Sequence, residues 1–162
     1  TTNGSAGWRI TEPTAGDGLL YQWSAAMAGS TAERAQGICP RGWHIPSDAE
    51  VMYLEHGQGM AISEQIKNNT WRANAANQGA PGNKLRSEGT GQTNASGFSA
   101  LLSGYRNVDG TFHNIRRDYS YWTSSQQNTT RAFDRFLVTN NRGVYREVGD
   151  KARGISVRCL KD

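Results

Sequence analysis

The chain contains only two cysteines, and their positions constrain the fold more than any other feature. Cys39 lies in the first quarter of the sequence, whereas Cys159 lies almost at its end. A disulfide between them would close a loop of 121 residues, counted inclusively (159 − 39 + 1). Closing such a loop lowers the conformational entropy of the unfolded chain, which stabilises the folded state by on the order of 4 to 5 kcal/mol. The alternative is a pair of reduced, buried cysteines. An oxidised pair indicates an address outside the cytoplasm.

The length and composition predict one domain, residues 1–162, that is rich in loops, turns and short strands. A chain of 162 residues can bury a sizeable core, but only 36% of the residues are hydrophobic and 19 are glycine. We interpret residues 1–18 as a lead-in to this domain. No run of about 18 apolar residues occurs, and the first seven residues lack the features of a signal peptide. We therefore expect no direct membrane insertion, and a monomeric domain cut from a larger precursor.

Positive charge is concentrated in the second half of the chain. Residues 1–103 carry 7 Lys or Arg against 8 Asp or Glu, whereas residues 104–162 carry 11 against 6. A basic surface of this kind can contact the phosphates of nucleic acid. The positive residues are nevertheless spaced singly, with acidic residues among them. We therefore favour a mixed, solvated face and expect no nucleic-acid partner.

One helix has clear start and stop signals. Ser47 can cap the N-terminus, Glu50 stands three residues later as in a capping box, and Gly57 is a natural stop, so the pattern predicts a helix over 47–56. Other expectations are less local: a strand running into a short helix or turn over 19–27, a helical turn over 63–71, and a long structured loop over 72–96.

The β region begins after residue 97. Asp109-Gly110 between Tyr105 and Phe112 predicts a hairpin turn. Short strands are predicted to follow over 121–124, 132–139 and 144–147, with 155–160 closing the sheet.

Period-two alternation divides the strand over 132–139 into two faces. Phe133 and Leu137 suit the core, which leaves Asp134 and Phe136 to face a partner or solvent. The alternative is that Phe136 is the buried residue, because Phe is buried more often than not.

Six short motifs follow one another along the chain: Trp23-Ser24-Ala25-Ala26, residues 38–50, Gly97-Phe98-Ser99-Ala100, Gly104-Tyr105-Arg106, Trp122-Thr123-Ser124-Ser125, and residues 151–162. As a set and in this order, they resemble the Fibrobacter succinogenes major paralogous domain, a family within the wider C-type lectin-like fold. The resemblance implies an α+β C-type lectin-like fold, with short helices packed on a twisted, mainly antiparallel sheet with long loops. It also implies that the disulfide joins the start of the first helix to the last strand.

Residues 104–162 also resemble the variable proteins of diversity-generating retroelements, which display a hypervariable ligand-binding face on a C-type lectin-like scaffold. In that group, adenine-directed mutagenesis scatters derivatives of Asn codons among unchanged scaffold residues. Glu147 departs from the pattern, because adenine changes in an Asn codon do not produce Glu. The tyrosines have an alternative interpretation as residues at the edge of the core. The ligand-binding residues implied by this resemblance are Asp118, Tyr119, Tyr121, Asn128, Asp134, Phe136, Asn140, Tyr145, Glu147, Asp150 and Arg153.

The remaining aromatic residues divide between core and surface. We expect Trp23, Trp43 and Trp122 in the core, whereas Trp8 and Trp71, in polar surroundings, are the better candidates for an exposed sugar-binding platform.

The sequence contains no pattern typical of a metal site or an active site. The three histidines lack zinc-type spacing, and His44 between two apolar residues is typical of a satisfied core histidine. The calcium-binding motifs of true C-type lectins are absent. Formylglycine-generating enzymes share the broad fold but use a cysteine pair, which here is assigned to the disulfide. We therefore predict no catalytic residue, no metal ligand and no cofactor.

These observations favour a receptor-like or adhesin-like display domain at the cell surface, in the extracellular space or at a phage tip. Its expected partner is a protein or glycan ligand on another cell or surface. The alternatives are a passive structural module of a surface layer or fibre tip, and a calcium-independent glycan-binding lectin-like domain.

Overall fold

The computed structural model describes residues 18–162 together with the backbone of Trp8 and Arg9. It has an α+β fold in which short helices surround mainly antiparallel sheets, which confirms the predicted class. In chain order the elements are β1 (Trp8–Arg9), β2 (Leu19–Leu20), α1 (Trp23–Ala26), β3 (Trp43–His44), α2 (Asp48–Gly57), α3 (Ile62–Gln65), β4 (Thr70–Arg72), α4 (Pro81–Leu85), β5 (Tyr105–Arg106), β6 (Phe112–His113), β7 (Asp118–Gln126), β8 (Arg131–Val138), β9 (Val144–Asp150) and β10 (Leu160–Lys161).

A four-stranded antiparallel sheet in the order β4-β9-β8-β7 is the centre of the fold. Short connections join β7 to β8 and β8 to β9, as antiparallel pairing allows. The strands predicted over 121–124, 132–139 and 144–147 are confirmed, although β7 and β9 extend beyond the predicted bounds. β7 is longer because the whole segment 118–126 pairs with β8, apart from an irregularity between Trp122 and Gln126.

Helix α2 packs on one face of this sheet. Its predicted N-terminus is confirmed: the Ser47 side chain accepts from the Glu50 amide, and Glu50 accepts from the Ser47 amide in return. Asp48, Val51 and Glu55 are spaced by three and four residues, so they share one side of the helix. All three are buried against the sheet.

Two carboxylates on α2 pair with three arginines from the sheet. Glu55 lies 2.6 Å from Arg72 and 2.8 Å from Arg135, while Asp48 lies 2.7 Å from Arg135 and 2.6 Å from Arg146. Arg72 and Arg135 are 0% exposed and Arg146 is 8% exposed. The prediction of a solvated basic face over residues 104–162 is therefore wrong for Arg135 and Arg146, because they compensate buried carboxylates instead of meeting water.

A second layer covers the opposite face of the sheet at the β7 side. Trp23, Ile45, Trp122 and Ile155 belong to its apolar cluster and are at most 2% exposed. The Trp122 indole donates to the carbonyl of Tyr21 at 2.8 Å, which links the layer to the sheet. The layer thus contains the tryptophans predicted for the core at positions 23 and 122.

The disulfide between Cys39 and Cys159 is confirmed, with the two Cα atoms 5.8 Å apart. It lies close to the pairing of β3 with β10, which joins the segment before α2 to the end of the chain. His44 is 2% exposed and contacts Asp162 at 2.6 Å and Glu50 at 3.2 Å, as expected for a satisfied core histidine.

The prediction of a buried Trp43 is wrong, since this residue is 39% exposed. Trp43 and His44 are neighbours in a short strand, so their side chains point to opposite faces. His44 takes the inward position and Trp43 the outward one.

Other sequence predictions are confirmed only in part. The hairpin at Asp109-Gly110 forms between β5 and β6. The helical turn over 63–71 is half right, because α3 ends at Gln65 and β4 follows as a strand at the edge of the central sheet. The predicted loop over 72–96 contains the short helix α4. The closing segment 155–160 forms isolated bridges at Ile155 and Ser156 instead of a continuous strand.

Candidate functional site

A row of side chains crosses the central sheet on the face opposite α2. Trp71 of β4 pairs with Tyr145 of β9, Tyr145 with Phe136 of β8, and Phe136 with Ser120 of β7. Because side chains alternate along a strand, this register places all of them on the same face of the sheet. The pairing of β4, β9 and β8 therefore creates a continuous strip of three aromatic residues that are distant in sequence, and Ser120 of β7 ends the row.

The strip forms one wall of a cavity of about 250 Å³. The Trp71 and Tyr145 ring centroids are 5.4 Å apart at 71°, and those of Phe136 and Tyr145 are 6.5 Å apart at 76°. Trp71 and Phe136 are 6.1 Å apart at 50°. These edge-to-face and tilted arrangements are the ones that aromatic quadrupoles favour. The cavity is lined by Trp71, Tyr105, Ser120, Phe136, Tyr145, Glu147 and Arg153.

Arg153 and two carboxylates form the charged end of the cavity. Arg153 donates to Asp134 at 2.7 Å and to Glu147 at 3.2 and 3.3 Å. Its Cζ atom lies 5.9 Å from the centre of the Tyr105 ring. The guanidinium is thereby held between the two acidic side chains and an aromatic face.

Asp134 lies below this surface and is 0% exposed. Burial raises the pKa of its carboxyl to about 7, an effect that the nearby Arg153 partly offsets and Glu147 adds to. Its Oδ1 atom is buried without a hydrogen-bond partner among residues 18–162, and so is Arg153 Nε. The charged end of the site therefore retains hydrogen-bonding capacity that the described part of the chain does not use.

The cavity lies where the second layer ends. Over β7, backbone bridges from Gly104 to Tyr119 and from Tyr121 to Ser156 cover the edge of the strand. Ser120 is accordingly only 2% exposed. Farther across the same face, at Phe136 of β8, Tyr145 of β9 and Trp71 of β4, residues 18–162 leave the side chains only half-buried. The fold thus leaves an aromatic recess beside a closed edge.

Four of the predicted ligand-binding residues come together here. Phe136, Tyr145, Glu147 and Arg153 all line the cavity. The assignment of faces inferred for β8 is confirmed in part: Leu137 is 0% exposed and Phe136 lies on the open face, but Phe133 is only half-buried and Asp134, expected to face a partner or solvent, is completely buried. The alternative of a buried Phe136 does not hold.

Four other predicted residues lie in the interior, so we remove them from the set of ligand contacts. Asp118, Tyr119 and Tyr121 are 5%, 6% and 0% exposed, and Asp134 is completely buried. The tyrosines belong to the core cluster beneath α2, where burial raises the pKa of Tyr119 to about 12. A ligand needs an accessible side chain, and none of these four is accessible.

The last three predicted residues are exposed but stand apart from the cavity lining. Asn128 lies in the turn between β7 and β8, where its side chain accepts from the amides of Thr130 and Arg131. Asn140 follows β8, and Asp150 ends β9 and accepts from the amide of Ala152. Their roles as ligand contacts remain predictions.

Sequence reasoning did not assign three residues of the lining to the binding set. The sequence predicts Trp71 only as a candidate for an exposed sugar-binding platform, because its placement depends on β4, which the local pattern does not predict. Tyr105 belongs to the Gly104-Tyr105-Arg106 motif, which was a signal for it. No sequence pattern indicates a binding role for Ser120. The side chain of Trp8, the other platform candidate, lies outside the described residues.

The described part of the chain lacks two kinds of feature. Within it, no group of three or more His, Cys, Asp or Glu side chains is arranged to hold a metal ion. Nor does any helix within residues 18–162 have the length and apolar character needed to cross a membrane.

Comparison with known proteins gives one match. The family model described as Fibrobacter succinogenes major domain (Fib_succ_major) matches residues 2–161. No curated protein and no solved structure matches the chain.

Proposed function

The chain belongs to the Fibrobacter succinogenes major domain family, and from that premise we propose that it is a receptor-like or adhesin-like ligand-binding domain with a C-type lectin-like fold. Its binding surface is the aromatic cavity bounded by Trp71, Phe136 and Tyr145. The ligand is a protein or glycan on another cell or surface.

The observation that carries the proposal is the accessible aromatic strip. Three large rings stand in register on an otherwise polar chain and remain half-buried. Rigid aromatic side chains provide contact area at little entropic cost, and such residues dominate binding energy at interfaces. Glu147 and Arg153 at the rim add hydrogen-bonding groups that select among ligands.

The framework supports binding by holding the strip rigid. The Cys39–Cys159 disulfide fastens the second layer, and the pairs made by Glu55 and Asp48 fasten α2 beneath the sheet. A surface that does not rearrange on association loses less entropy when it binds. The disulfide also fits an extracellular or cell-surface address.

Two structural features fit a C-type lectin-like scaffold. The disulfide connects the segment before α2 to the segment before β10, as the resemblance implied. Long loops between α4 and β7 pack beside the central antiparallel sheet.

The proposal includes hypervariability of the binding surface. Exposed and half-buried positions tolerate substitution, whereas buried ones do not. In genes from sibling isolates we expect changes at Phe136, Tyr145, Arg153, Asn128 and Asn140, but not at Tyr121 or Asp134. A nearby near-copy of the gene, with adenines at the differing sites, would support the retroelement mechanism. Uniform drift along the gene would contradict it.

A binding screen tests the proposal directly. Labelled protein is applied to arrays of glycans and of surface proteins, beside Tyr145→Ala and the control Tyr53→Ala. Tyr53 is 81% exposed on α2, far from the lining residues. We expect a ligand that binds wild type and the control but loses most of its affinity for Tyr145→Ala. Equal binding by all three proteins, or no ligand at all, contradicts the proposal.

A passive structural module makes a different prediction. In that case the aromatic surface is a contact between subunits, and light scattering over a concentration series would show association that Tyr145→Ala removes. The binding proposal predicts a monomer at every concentration.

A further inference from the structure

The chemistry of the cavity selects among ligand groups. Its three inclined rings do not stack face to face: the interplanar angles are 71° and 76° for the pairs with Tyr145, and 50° for Trp71 with Phe136. Rings inclined in this way form walls that meet at an angle. A small group in the recess therefore contacts ring faces from more than one direction.

The faces of aromatic rings attract cations. Each ring carries a quadrupole whose negative side is its face, and a cation within about 6 Å of a ring centroid is attracted to it. The centroids of Trp71, Phe136 and Tyr145 are themselves 5.4 to 6.5 Å apart. One cation in the recess can thus lie within about 6 Å of all three centroids.

The charged residues beside the rings disfavour an anion. Glu147 contributes one negative charge, Arg153 one positive charge, and Asp134 a further negative charge when it is ionised, so the cluster offers no net positive charge to an anion. Arg153 is already bound by both carboxylates and is only 19% exposed in its side chain. A ligand carboxylate or phosphate would have to compete with these partners for the guanidinium.

The cavity already places one cation beside an aromatic face. Arg153 Cζ lies 5.9 Å from the Tyr105 ring centre, while Glu147, with a side chain 32% exposed, remains partly open to solvent. Glu147 can therefore pair with a second cation at the mouth of the recess. The volume of about 250 Å³ falls just below the range of about 300–1,000 Å³ that is typical of drug-sized ligands. It suits one compact group.

We propose that the cavity binds an alkylammonium group, which enters between the faces of Trp71, Phe136 and Tyr145 and pairs with Glu147. The inference deepens the proposed function and rests on it. A choline-type headgroup and a methylated lysine side chain share this chemistry, and a quaternary ammonium suits it best because its charge is spread over methyl groups that are weakly hydrated.

Paired probes test the charge requirement. Choline is titrated into ¹⁵N-labelled protein beside 3,3-dimethylbutan-1-ol, which has the same shape without the charge. Nα-acetyl-Nε-trimethyllysine is titrated in the same way beside Nα,Nε-diacetyllysine, whose Nε amide carries no charge, to distinguish the two sources of the ammonium. We expect shifts at the Trp71 indole and the Tyr145 amide, with choline or trimethyllysine binding at least about tenfold more tightly than its counterpart. Equal binding of choline and its neutral counterpart overturns the inference.

Variants locate the bound cation. Glu147→Gln keeps the size of the side chain and removes its charge, so it should weaken choline binding by about threefold or more, with little effect on the neutral alcohol. Tyr145→Leu should weaken choline binding more strongly. Tyr53→Leu, on the distant surface of α2, should leave it unchanged. Thermal melts of each variant show whether the fold is retained.

Failure of this inference can be distinguished from failure of the proposed function. Methyl glycosides and acetate are added to the same titrations. If either shifts the cavity residues and choline does not, the site binds a ligand but the alkylammonium inference is wrong. If no small probe shifts these residues, the inference is again wrong, while the array screen still decides whether the domain binds a larger ligand there.

Discussion

Replacing Glu55 with Gln tests how the helix beneath the binding surface is held to the sheet. Glu55 is 0% exposed and accepts three hydrogen bonds: from Arg72 at 2.6 and 2.8 Å and from Arg135 at 2.8 Å. Gln has nearly the same volume, so the change creates no cavity. It removes the negative charge and offers one acceptor oxygen where the carboxylate has two.

The expected loss of stability follows from these contacts. Removing one partner of a buried ion pair costs about 3 to 5 kcal/mol, because the remaining charge stays buried without compensation. Here two fully buried arginines depend on one carboxylate, and Asp48 compensates only Arg135 of the two. We therefore expect Glu55→Gln to lower the free energy of unfolding by about 4 kcal/mol, out of a total of about 5 to 15 for a typical domain.

Urea denaturation at pH 7 under non-reducing conditions, followed by tryptophan fluorescence, measures the effect. With a slope of about 2 kcal/mol per molar urea, the midpoint should fall by about 2 M. Glu88→Gln is the control, since Glu88 is exposed in the loop after α4 and its change should cost less than about 0.5 kcal/mol. A midpoint for Glu55→Gln within about 0.5 M of wild type would refute the view that this network holds α2 to the sheet.

The remaining predictions concern the disulfide, the buried acid and the backbone. The double change Cys39→Ser with Cys159→Ser should cost about 4 to 5 kcal/mol by thermal or urea unfolding, and an unchanged stability would contradict the predicted role of the disulfide. The pKa of Asp134, raised to about 7 by burial from its usual 3.8, means that the folded state binds this proton more tightly than the unfolded state. The contribution of Asp134 to the free energy of unfolding is therefore fully present below about pH 4 and is lost as pH rises through 7. The difference in unfolding free energy between wild type and Asp134→Asn should show this decline. A difference that stays constant from about pH 4 to 8 would contradict the prediction. Gly104 has φ +69°, and a Cβ there would lie 2.3 Å from a backbone oxygen of β6, whereas Gly97 has φ +70° with nothing within 4 Å. Gly97→Ala should thus lower the free energy of unfolding by about 1 to 2 kcal/mol, and Gly104→Ala should lower it clearly more. Urea midpoints of the two variants measure these losses. Equal losses would show that the close approach of the β6 backbone to Gly104 is unimportant.

The features predicted correctly from the sequence are local ones. The capping box of Ser47 and Glu50, the Asp109-Gly110 turn and part of the alternation in β8 each depend on residues within a few positions of one another. Such patterns determine backbone geometry before any long-range contact forms.

The predictions that failed depend on how distant segments pack. Tyr119 and Tyr121 alternate with Ser120, a pattern typical of a strand with one exposed face, and were predicted to contact a ligand. Both faces of β7 are instead covered by segments that lie about 20 to 100 residues away in the sequence. Trp71 joins the cavity only because β4 pairs with β9 across more than 70 positions. No local pattern contains this information, so the aromatic strip could be only half predicted.

The footprint of a captured ligand tests the central claim most directly. The ligand returned by the array screen is titrated into ¹⁵N-labelled protein, and the shifted resonances are mapped on the fold. The account predicts that the largest shifts cluster at Trp71, Phe136, Tyr145, Glu147 and Arg153, with few around Tyr53. A footprint on α2, or one spread evenly over the surface, would contradict the assignment of the aromatic cavity as the binding site.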